Sequence, residues 1–271
     1  MTANSTNYAM VIPSLLCLAF YMLASLAAFH RLLDAQARRW PLFSCAWIAM
    51  ALHAGVLGPT LVSLGLGQNL SLLNVASFVS LLIALVMSLI ARRFNGWILL
   101  PVTYGFAALL QTINALMPSR YLVHLEQRPE LLAHITLALL AFSVLMIATL
   151  FTLLLAYLNH HLKSRKRITL PHLPPLMAVE QRIYQLIALG VGLLTLSIAC
   201  GLFFIDEMFA PDQWHKALLT FLAWSVYCTL LWGHQRHGWR GKTLILMSLL
   251  GSSLLFLAYF GSRFLNEILL N

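Results

Sequence analysis

Histidine is the residue type through which this sequence is best equipped to do chemistry. The chain of 271 residues holds ten histidines, although only 9% of its residues are charged. Three of them lie inside or at the ends of long apolar runs: His53 in ALHAGVLG, His134 in LLAHITLALL and His215 in QWHKALL. A neutral imidazole in such a setting can ligate a metal or bond to a polar group inside the protein. These three histidines are therefore the candidate functional residues.

The metal group that suits single imidazoles on separate helices is haem, because two facing histidines complete a six-coordinate iron. His134 has further support from its own helix. Ala138 and Ala141 follow it at helical spacing and leave a small-residue face on which a neighbour or a flat macrocycle can lie. Candidate contacts for the haem propionates are three basic residues predicted on the same side of the membrane: Arg120, Arg128 and Lys216.

Each of these histidines also has a purely structural alternative. His134 can be an interfacial imidazole that is bonded to a backbone carbonyl. His53 can form an interhelical hydrogen bond beside Gly55 and Gly58, whose spacing predicts close helix packing. The residues alone leave these alternatives open.

Other kinds of site have little support in the sequence. It contains no GxSxG, Walker loop or HExxH, and no GxGxxG after a strand. We therefore expect no enzymatic turnover. The four cysteines all fall inside apolar runs without a CxxC pair, which indicates packing residues rather than a disulfide or a metal site.

The elements that must position the histidines are membrane helices. The chain is 61% apolar with a mean hydropathy of +0.84, whereas a soluble domain is about half apolar and about a quarter charged. A helix needs about 20 apolar residues to cross the hydrocarbon core. We predict an all-α polytopic bundle that forms one integral membrane domain over residues 1–271, with about eight transmembrane helices. Their expected positions are 10–28, 42–63, 70–91, 97–116, 132–158, 183–205, 215–233 and 243–264.

The basic residues predict how the chain is oriented, because lysine and arginine collect in cytoplasmic loops. With the N-terminus outside, 13 of the 17 basic residues fall in inner loops and only four fall outside. Six of the eight acidic residues then lie on the outer side. The sequence therefore predicts an N-out and C-out topology.

The longest inner connection is the basic segment 159–182, which separates five helices from three. Pro171, Pro174 and Pro175 exclude a continuous helix through it. Its KSRKR run is typical of a topology signal that contacts anionic lipid headgroups of the bilayer, and we expect no nucleic-acid binding. The segment also offers a surface for a membrane or cytosolic protein partner.

Four stretches of the second half form a recognisable series. The His134 helix precedes the basic segment, and Lys216 is followed eight residues later by Trp224. GWRGK (238–242) comes next, and the last helix ends in AYFG (258–261). In these features the chain resembles the cytochrome c assembly family of haem-handling membrane proteins, which includes CcsA-like and HemX-like members. The first four helices match the family more loosely, through their length and spacing.

The resemblance implies a multi-pass protein of the bacterial inner membrane, in which the histidine that matches His134 is a haem ligand at the outer face. Two departures bear on its activity. The tryptophan-rich outer segment that presents haem in the family is here FFIDEMFAPDQW, with Trp214 as its single tryptophan. The family's second outer histidine is expected after Gly261, where SRFLNEILLN has none. These departures argue against a full haem-to-apocytochrome synthetase, and our hypothesis is that His215 replaces the second ligand.

The function that the sequence favours is haem binding near the outer face without catalysis. The alternative is a HemX-like regulatory or scaffold protein that acts on a partner. A transporter is the third hypothesis, since polar residues could line a path: Asn74, Ser77, Gln111, Thr112 and Asn114. Such residues more often form interhelical hydrogen bonds, worth about 0.6 kcal/mol each. The predicted helices also lack the charged mid-membrane residue that coupled transporters usually keep.

Overall fold

The computed structural model describes residues 2–34, 40–61, 68–93, 96–117, 122–123, 129–163, 175–204 and 214–261, and these ranges are almost entirely helical. They contain eight α-helices: α1 (Thr2–Leu33), α2 (Trp40–Leu61), α3 (Leu72–Arg93), α4 (Leu100–Leu116), α5 (Pro129–Lys163), α6 (Leu176–Phe204), α7 (Trp214–His237) and α8 (Lys242–Phe256). A 3-10 turn, Gly96–Leu99, leads into α4, and a π-helical turn, Leu257–Gly261, follows α8. Two short strands pair antiparallel, β1 (Gln68–Asn69) with β2 (Leu122–Val123).

Each of these eight helices is long and apolar enough to cross a bilayer, over spans of 18 residues in α2 to 33 residues in α5, when the adjoining 3-10 and π turns are counted with α4 and α8. Large apolar side chains such as Ile12, Leu26 and Phe203 remain exposed on the helices. Their exposure is favourable in lipid, where the backbone groups are satisfied within each helix. The prediction of an all-α polytopic membrane bundle with eight helices is confirmed, and the N-out topology stays a prediction.

Contacts between the helices divide the chain into two compact units, which are described separately: unit 1 with α1 to α4, and unit 2 with α5 to α8. In unit 1, α1 packs against α2 and α4, and α3 packs against the same two helices. The buried faces of α1 and α2 repeat every three or four residues and are rich in small side chains, which lets the two backbones approach. Their buried residues are Ser14, Cys17, Tyr21, Ala24 and Ala28 on α1, and Leu42, Ala46, Ala49, Met50, His53 and Leu57 on α2.

Unit 2 is built on the long pair of α5 and α6. The other two helices complete it, because α8 packs against α5 and α7, and α7 packs against α6. Two glycines set close approaches between helices of this unit. A Cβ atom at Gly190 would lie 2.6 Å from the side chain of Leu145, and one at Gly251 would lie 2.8 Å from the ring of Tyr227. The α5–α6 and α7–α8 contacts therefore have little spare room at these positions.

A tight turn joins α7 to α8. Gly238 ends α7 with a φ of +64°, in the left-handed region that glycine adopts without strain. Its N–H donates to the carbonyl of His234 at 3.1 Å, which closes the C-terminus of α7. The ring of Trp239 then folds back onto Gly233, where a Cβ atom would overlap with the indole. The sequence GWRGK thus encodes a compact corner of the chain.

The start of α6 braces this corner. The Tyr184 hydroxyl and the Nδ1 atom of His234 both donate to the carbonyl of Trp239, and the tyrosine and histidine rings stack with centroids 3.5 Å apart. Glu180 accepts a hydrogen bond from the N–H of Gly241 at 3.0 Å, immediately before α8 begins. A carboxylate at this position satisfies a backbone donor and is attracted to the positive N-terminal end of the α8 dipole.

The bounds of α5 and α6 differ from the prediction. Helix α5 continues to Lys163 and α6 begins at Leu176, so the loop expected at 159–182 is shorter at both ends. A helix of 35 residues is about 52 Å long, at 1.5 Å per residue. An apolar run marks only the part of such a helix that lies in lipid, and polar ends can remain helical beyond it. The KSRKR run falls mostly within 164–174, outside the described residues.

Candidate functional site

His134 lies in the second turn of α5 and is held by α6. Its Nδ1 atom is 2.8 Å from the carbonyl oxygen of Ser197. The hydroxyl of Ser197 donates in turn to the carbonyl of His134 at 3.2 Å. Because a carbonyl oxygen can only accept, Nδ1 must carry the proton, and in the neutral ring Nε2 then has a free lone pair.

This arrangement is the one that prepares a histidine for metal ligation. Ligating histidines usually donate their second ring N–H to a carbonyl or carboxylate, which fixes the tautomer and the ring orientation. The ring of His134 is only partly buried, and among the described residues its Nε2 atom has no hydrogen-bond partner. The structural alternative, an imidazole bonded to a carbonyl, is therefore present, and it leaves the lone pair of Nε2 available.

Contacts between α5 and α6 flank this histidine on both sides along the helices. The Sγ atom of Cys200 lies 3.6 Å from the carbonyl oxygen of Glu130, one turn nearer the end of the pair. Farther in, Leu145 fills the space over Gly190. Ala141, on the helix face that follows His134, is completely buried, so it packs within the protein rather than offering an open surface.

His215 and Lys216 lie in the first turn of α7, and both are partly exposed. The ring of His215 stands nearly perpendicular to that of Trp214, with centroids 6.4 Å apart. If successive helices cross the membrane in opposite directions, α5 and α7 start at the same face, so His134 and His215 belong to the same end of unit 2. Among the described residues, no hydrogen bond or ring contact joins the two histidines.

Trp224, two and a half turns into α7 from His215, connects that helix to α6. Its indole N–H donates to the Thr195 hydroxyl at 2.8 Å. At the C-terminal end of α8, the AYFG sequence forms the π-helical turn, and Tyr259 and Phe260 each place a ring about 5.5 Å from that of Phe142 on α5. The motifs that carried the family resemblance thus join α5, α6, α7 and α8 into one frame.

His53 belongs to unit 1, and its environment is different. It is completely buried, and both ring nitrogens are engaged by side chains of other helices. Nδ1 lies 3.1 Å from the hydroxyl of Tyr21 on α1, and Nε2 lies 2.8 Å from the hydroxyl of Ser77 on α3. The Ser77 hydroxyl is also 2.7 Å from the amide oxygen of Gln111 on α4. A haem iron could reach His53 only if one of these hydrogen bonds were broken.

The positions of the protons in this series of hydrogen bonds follow from its last contact, between Ser77 and Gln111. Ser77 has a single hydroxyl proton, which it donates to the amide oxygen of Gln111. With the Gln111 amide in this orientation, the Nε2 atom of His53 donates to Ser77, and Nδ1 accepts the hydroxyl proton of Tyr21. One donor on each of three helices thus points to the next helix, and the imidazole is the central link.

The interhelical alternative that the sequence offered for His53 is confirmed by these contacts, but its glycine part is wrong. A Cβ atom at Gly55 or Gly58 would meet nothing within 4 Å. Both glycines point away from the buried face on which His53 lies. Glycine spacing alone therefore did not identify the helix contact.

The polar residues that suggested a transport path also form hydrogen bonds between helices. Asn114 on α4 donates to Asn74 on α3 at 3.0 Å, beside the contact between Ser77 and Gln111. Thr112 bonds instead within its own helix, to the carbonyl of Ala108. The remaining predicted contacts for haem propionates, Arg120 and Arg128, lie outside the described residues, as do most of FFIDEMFAPDQW and all of SRFLNEILLN.

Sequence reasoning missed Ser197 and Tyr21. Ser197 acts through its main-chain carbonyl, which has no signature in the residue type. Tyr21 is seven residues from Ala28 and four from Cys17, so its place on the small-residue face of α1 could have identified it as buried. In the described ranges, no group of three or more His, Cys, Asp and Glu side chains could hold a metal ion.

Comparisons with known proteins agree with the pattern of the second half. The family model described as "Cytochrome C assembly protein" matches residues 40–270. The chain is 42% identical to the inner membrane protein YpjD of Escherichia coli K12 over 233 residues, which are 86% of this chain and 88% of that protein.

More distant relatives carry a more specific name. The cytochrome c biogenesis protein CcsA of Agrostis stolonifera is 23% identical over 60% of this chain and 62% of its own length. The CcsA protein of Chlamydomonas reinhardtii is 22% identical over 70% of this chain and 54% of its own length. No solved structure matches the chain significantly.

Proposed function

Because the chain belongs to the cytochrome c assembly family, we propose that it is a bacterial inner-membrane protein that binds haem through His134. The haem is cargo that the protein holds near the outer face. The inner-membrane location is supported by the name of the Escherichia coli relative and by the eight membrane-spanning helices. The outer position is supported by the positive-inside distribution of lysine and arginine.

The hydrogen bond between His134 Nδ1 and the Ser197 carbonyl carries this proposal. It fixes the neutral tautomer whose Nε2 lone pair can ligate iron, and it holds the ring against a stiff pair of helices. A bound haem supplies an iron with axial positions for imidazole and two propionates that seek cationic partners. The residues present fit such a group, with the basic side chain of Lys216 at the same end of unit 2.

His215 is the second axial ligand in this proposal, because it lies in the first turn of α7 at that same end. His53 is not a ligand in this proposal, because both its nitrogens form hydrogen bonds inside unit 1. The departures from the family pattern, a single tryptophan at Trp214 and no histidine after Gly261, support a holder or carrier of haem rather than a synthetase. We therefore expect no covalent attachment of haem to an apocytochrome by this chain alone.

The test is the absorption spectrum of the detergent-purified protein from haem-replete cells, oxidised and then reduced with dithionite. The purified protein is also titrated with haem. We expect a Soret band in the wild type, and His134→Ala should remove or strongly weaken it. His215→Ala should shift the spectrum from a six-coordinate to a five-coordinate form, because one axial imidazole remains. His53→Phe should keep the wild-type spectrum.

His237→Ala is the matched control, since His237 is an exposed histidine at the opposite end of α7 from His215. It should leave the spectrum unchanged. The proposal is wrong if no Soret band appears after haem addition, or if His134→Ala and wild type give the same spectrum and the same haem affinity.

The braced turn between α7 and α8 supports a second candidate function, in which the protein docks an acidic partner. Arg236, Arg240 and Lys242 are exposed on this turn, which α6 holds through Tyr184 and Glu180. A preorganised basic surface favours association with a negatively charged protein. Replacing the three basic residues with glutamate should release a copurifying partner without changing the haem spectrum. If the same proteins copurify with both forms, this turn is not the docking surface.

A further inference from the structure

Unit 1 contains a column of polar side chains that runs inward from one end of its bundle. Ser71, Asn74 and Ser77 follow one another at a spacing of three residues along the start of α3. Six residues of helix cover about 9 Å, so the column reaches well into the apolar part of the unit. Asn114 and Gln111 on α4 face the second and third members of this series, at 3.0 and 2.7 Å.

The column ends at the buried imidazole. Ser77 connects Gln111 to His53, and the imidazole connects onward to Tyr21. At the other end, the carbonyl of Asn69 accepts a hydrogen bond from the side-chain amide of Asn74 at 3.1 Å. Two hydrogen-bonded groups therefore follow one another from the β1 strand at the end of the bundle to the core of the unit: Asn69 with Asn74 and Asn114, and then Ser77 with Gln111 and His53.

Two polar atoms of this column lack a hydrogen-bond partner among the described residues: the hydroxyl of Ser71 and the amide nitrogen of Gln111. Both residues are essentially sealed from bulk solvent, with 0% and 1% of their surface exposed. Rotating the amide group of Gln111 by 180° would still leave one of its atoms without a hydrogen-bond partner. Its NH2 group would then donate to Ser77, and its oxygen would become the unpaired atom.

Leaving such groups unpaired costs about 1–3 kcal/mol each in a buried site. Protein interiors usually meet this cost with bound water, which forms about three hydrogen bonds to polar groups that would otherwise be unpaired. The two unpaired atoms lie at opposite ends of the column, one beside its entrance and one beside its deepest serine. A single local defect in packing would not place them so.

We propose that this column is a hydrated crevice that enters unit 1 beside Ser71 and gives water access to Gln111 and His53. Its ligand is water, held between the side chains of α3 and α4. Through it the Nε2 proton of His53 exchanges with the aqueous phase on the side where α3 begins. His53 is then a group inside the membrane that can exchange its proton with water. This role does not involve the histidines of unit 2.

Cysteine labelling tests this crevice directly. In a background with Cys17, Cys45, Cys200 and Cys228 replaced, Asn74→Cys is compared with Val79→Cys. Both residues are buried on α3, with 4% and 3% exposed, but Val79 lies away from the column. The variants are placed in lipid nanodiscs, so that a small, charged methanethiosulfonate reaches both faces. We expect Asn74→Cys to react at least ten times faster than Val79→Cys.

Arg236→Cys, at an exposed position on α7, shows that the reagent is active. If it reacts fully while Asn74→Cys and Val79→Cys are equally slow, the crevice is not hydrated. Each variant is first checked by gel filtration, because a misfolded protein would expose every cysteine.

A second measurement uses the unmodified sequence. Solid-state NMR of bilayer samples with 15N-labelled histidine, glutamine and valine detects transfer of polarisation from water to side-chain and backbone N–H groups. The His53 signal is identified by its loss in His53→Phe. We expect rapid transfer to the ring N–H of His53 and to the amide of Gln111. Transfer as slow as that to the backbone amides in the middle of α3 would overturn the proposal, whatever the cysteine variants show.

Discussion

Replacing Gly190 with alanine tests whether the α5–α6 pair that holds His134 is as closely packed as the structure indicates. The added Cβ atom would lie 2.6 Å from two carbons of the Leu145 side chain. Contacts under 3.0 Å are essentially never seen for a real Cβ atom. Leu145 is itself completely buried, so its side chain has no free space into which it can turn.

Gly192 provides the matched comparison, because it lies on the same helix two residues later and a Cβ atom there meets nothing within 4 Å. Alanine is a better helix former than glycine by about 1 kcal/mol, and this gain applies to both positions. The difference between the two variants is therefore the steric effect alone. Overpacking of a full core costs about 1–3 kcal/mol, so Gly190→Ala should be less stable than Gly192→Ala by that amount.

The free energy of unfolding is measured by titrating mixed lipid–detergent micelles with SDS and following helix content by circular dichroism. A double mutant with Leu145→Ala adds a second check. Removing the leucine side chain makes room for the new methyl group, so the two substitutions should be non-additive by about 0.5–3 kcal/mol in the compensating direction. Two results would refute the close contact between Gly190 and Leu145. One is equal stability of Gly190→Ala and Gly192→Ala, and the other is a double mutant whose loss of stability is the sum of the two single losses.

Two further substitutions are expected to lower the free energy of unfolding in the same assay. Glu180→Ala should cost about 0.5–2 kcal/mol, because the N–H of Gly241 loses its acceptor at the start of α8. Glu180→Gln, which keeps an oxygen there, should recover most of this, and equal stability of the two variants would contradict the bracing role. Gly251→Ala should cost about 1–3 kcal/mol, because its Cβ would press on the buried ring of Tyr227. Gly105→Ala, which meets nothing within 4 Å, is its control, and equal effects would refute the contact.

The number of helices could be predicted from the sequence because each apolar run must satisfy its own backbone in lipid. The residues at which the helices end were harder to predict. Helix α5 extends to Lys163 and α6 begins as early as Leu176, since a polar segment outside the bilayer can stay helical when a neighbouring helix supports it. Hydropathy reports the solvent around a helix and gives no direct signal for where the helix ends.

The sequence could name the candidate histidines, but it could not name most of the groups that they contact. For His53, the interhelical hydrogen bond was one of two open interpretations and is present in the structure, but the lengths of the apolar runs do not say which helices are neighbours. Tyr21 and Ser77 could therefore not be named as its partners. For His134, the decisive partner is the backbone carbonyl of Ser197, a group that every residue carries. This contact depends on how α5 packs against α6, which the residue types do not reveal.

The hydrogen-bonded series that runs through His53 also limits how this protein can evolve. Loss of Ser77 alone would strand both the imidazole and the amide of Gln111, and loss of Tyr21 would strand the other ring nitrogen. Removing one member of a buried polar pair is costly, whereas replacing the members together by apolar groups can be nearly neutral. Single substitutions that lead from this core to a purely apolar one therefore pass through less stable intermediates. The four side chains are expected to be inherited, or lost, as a set.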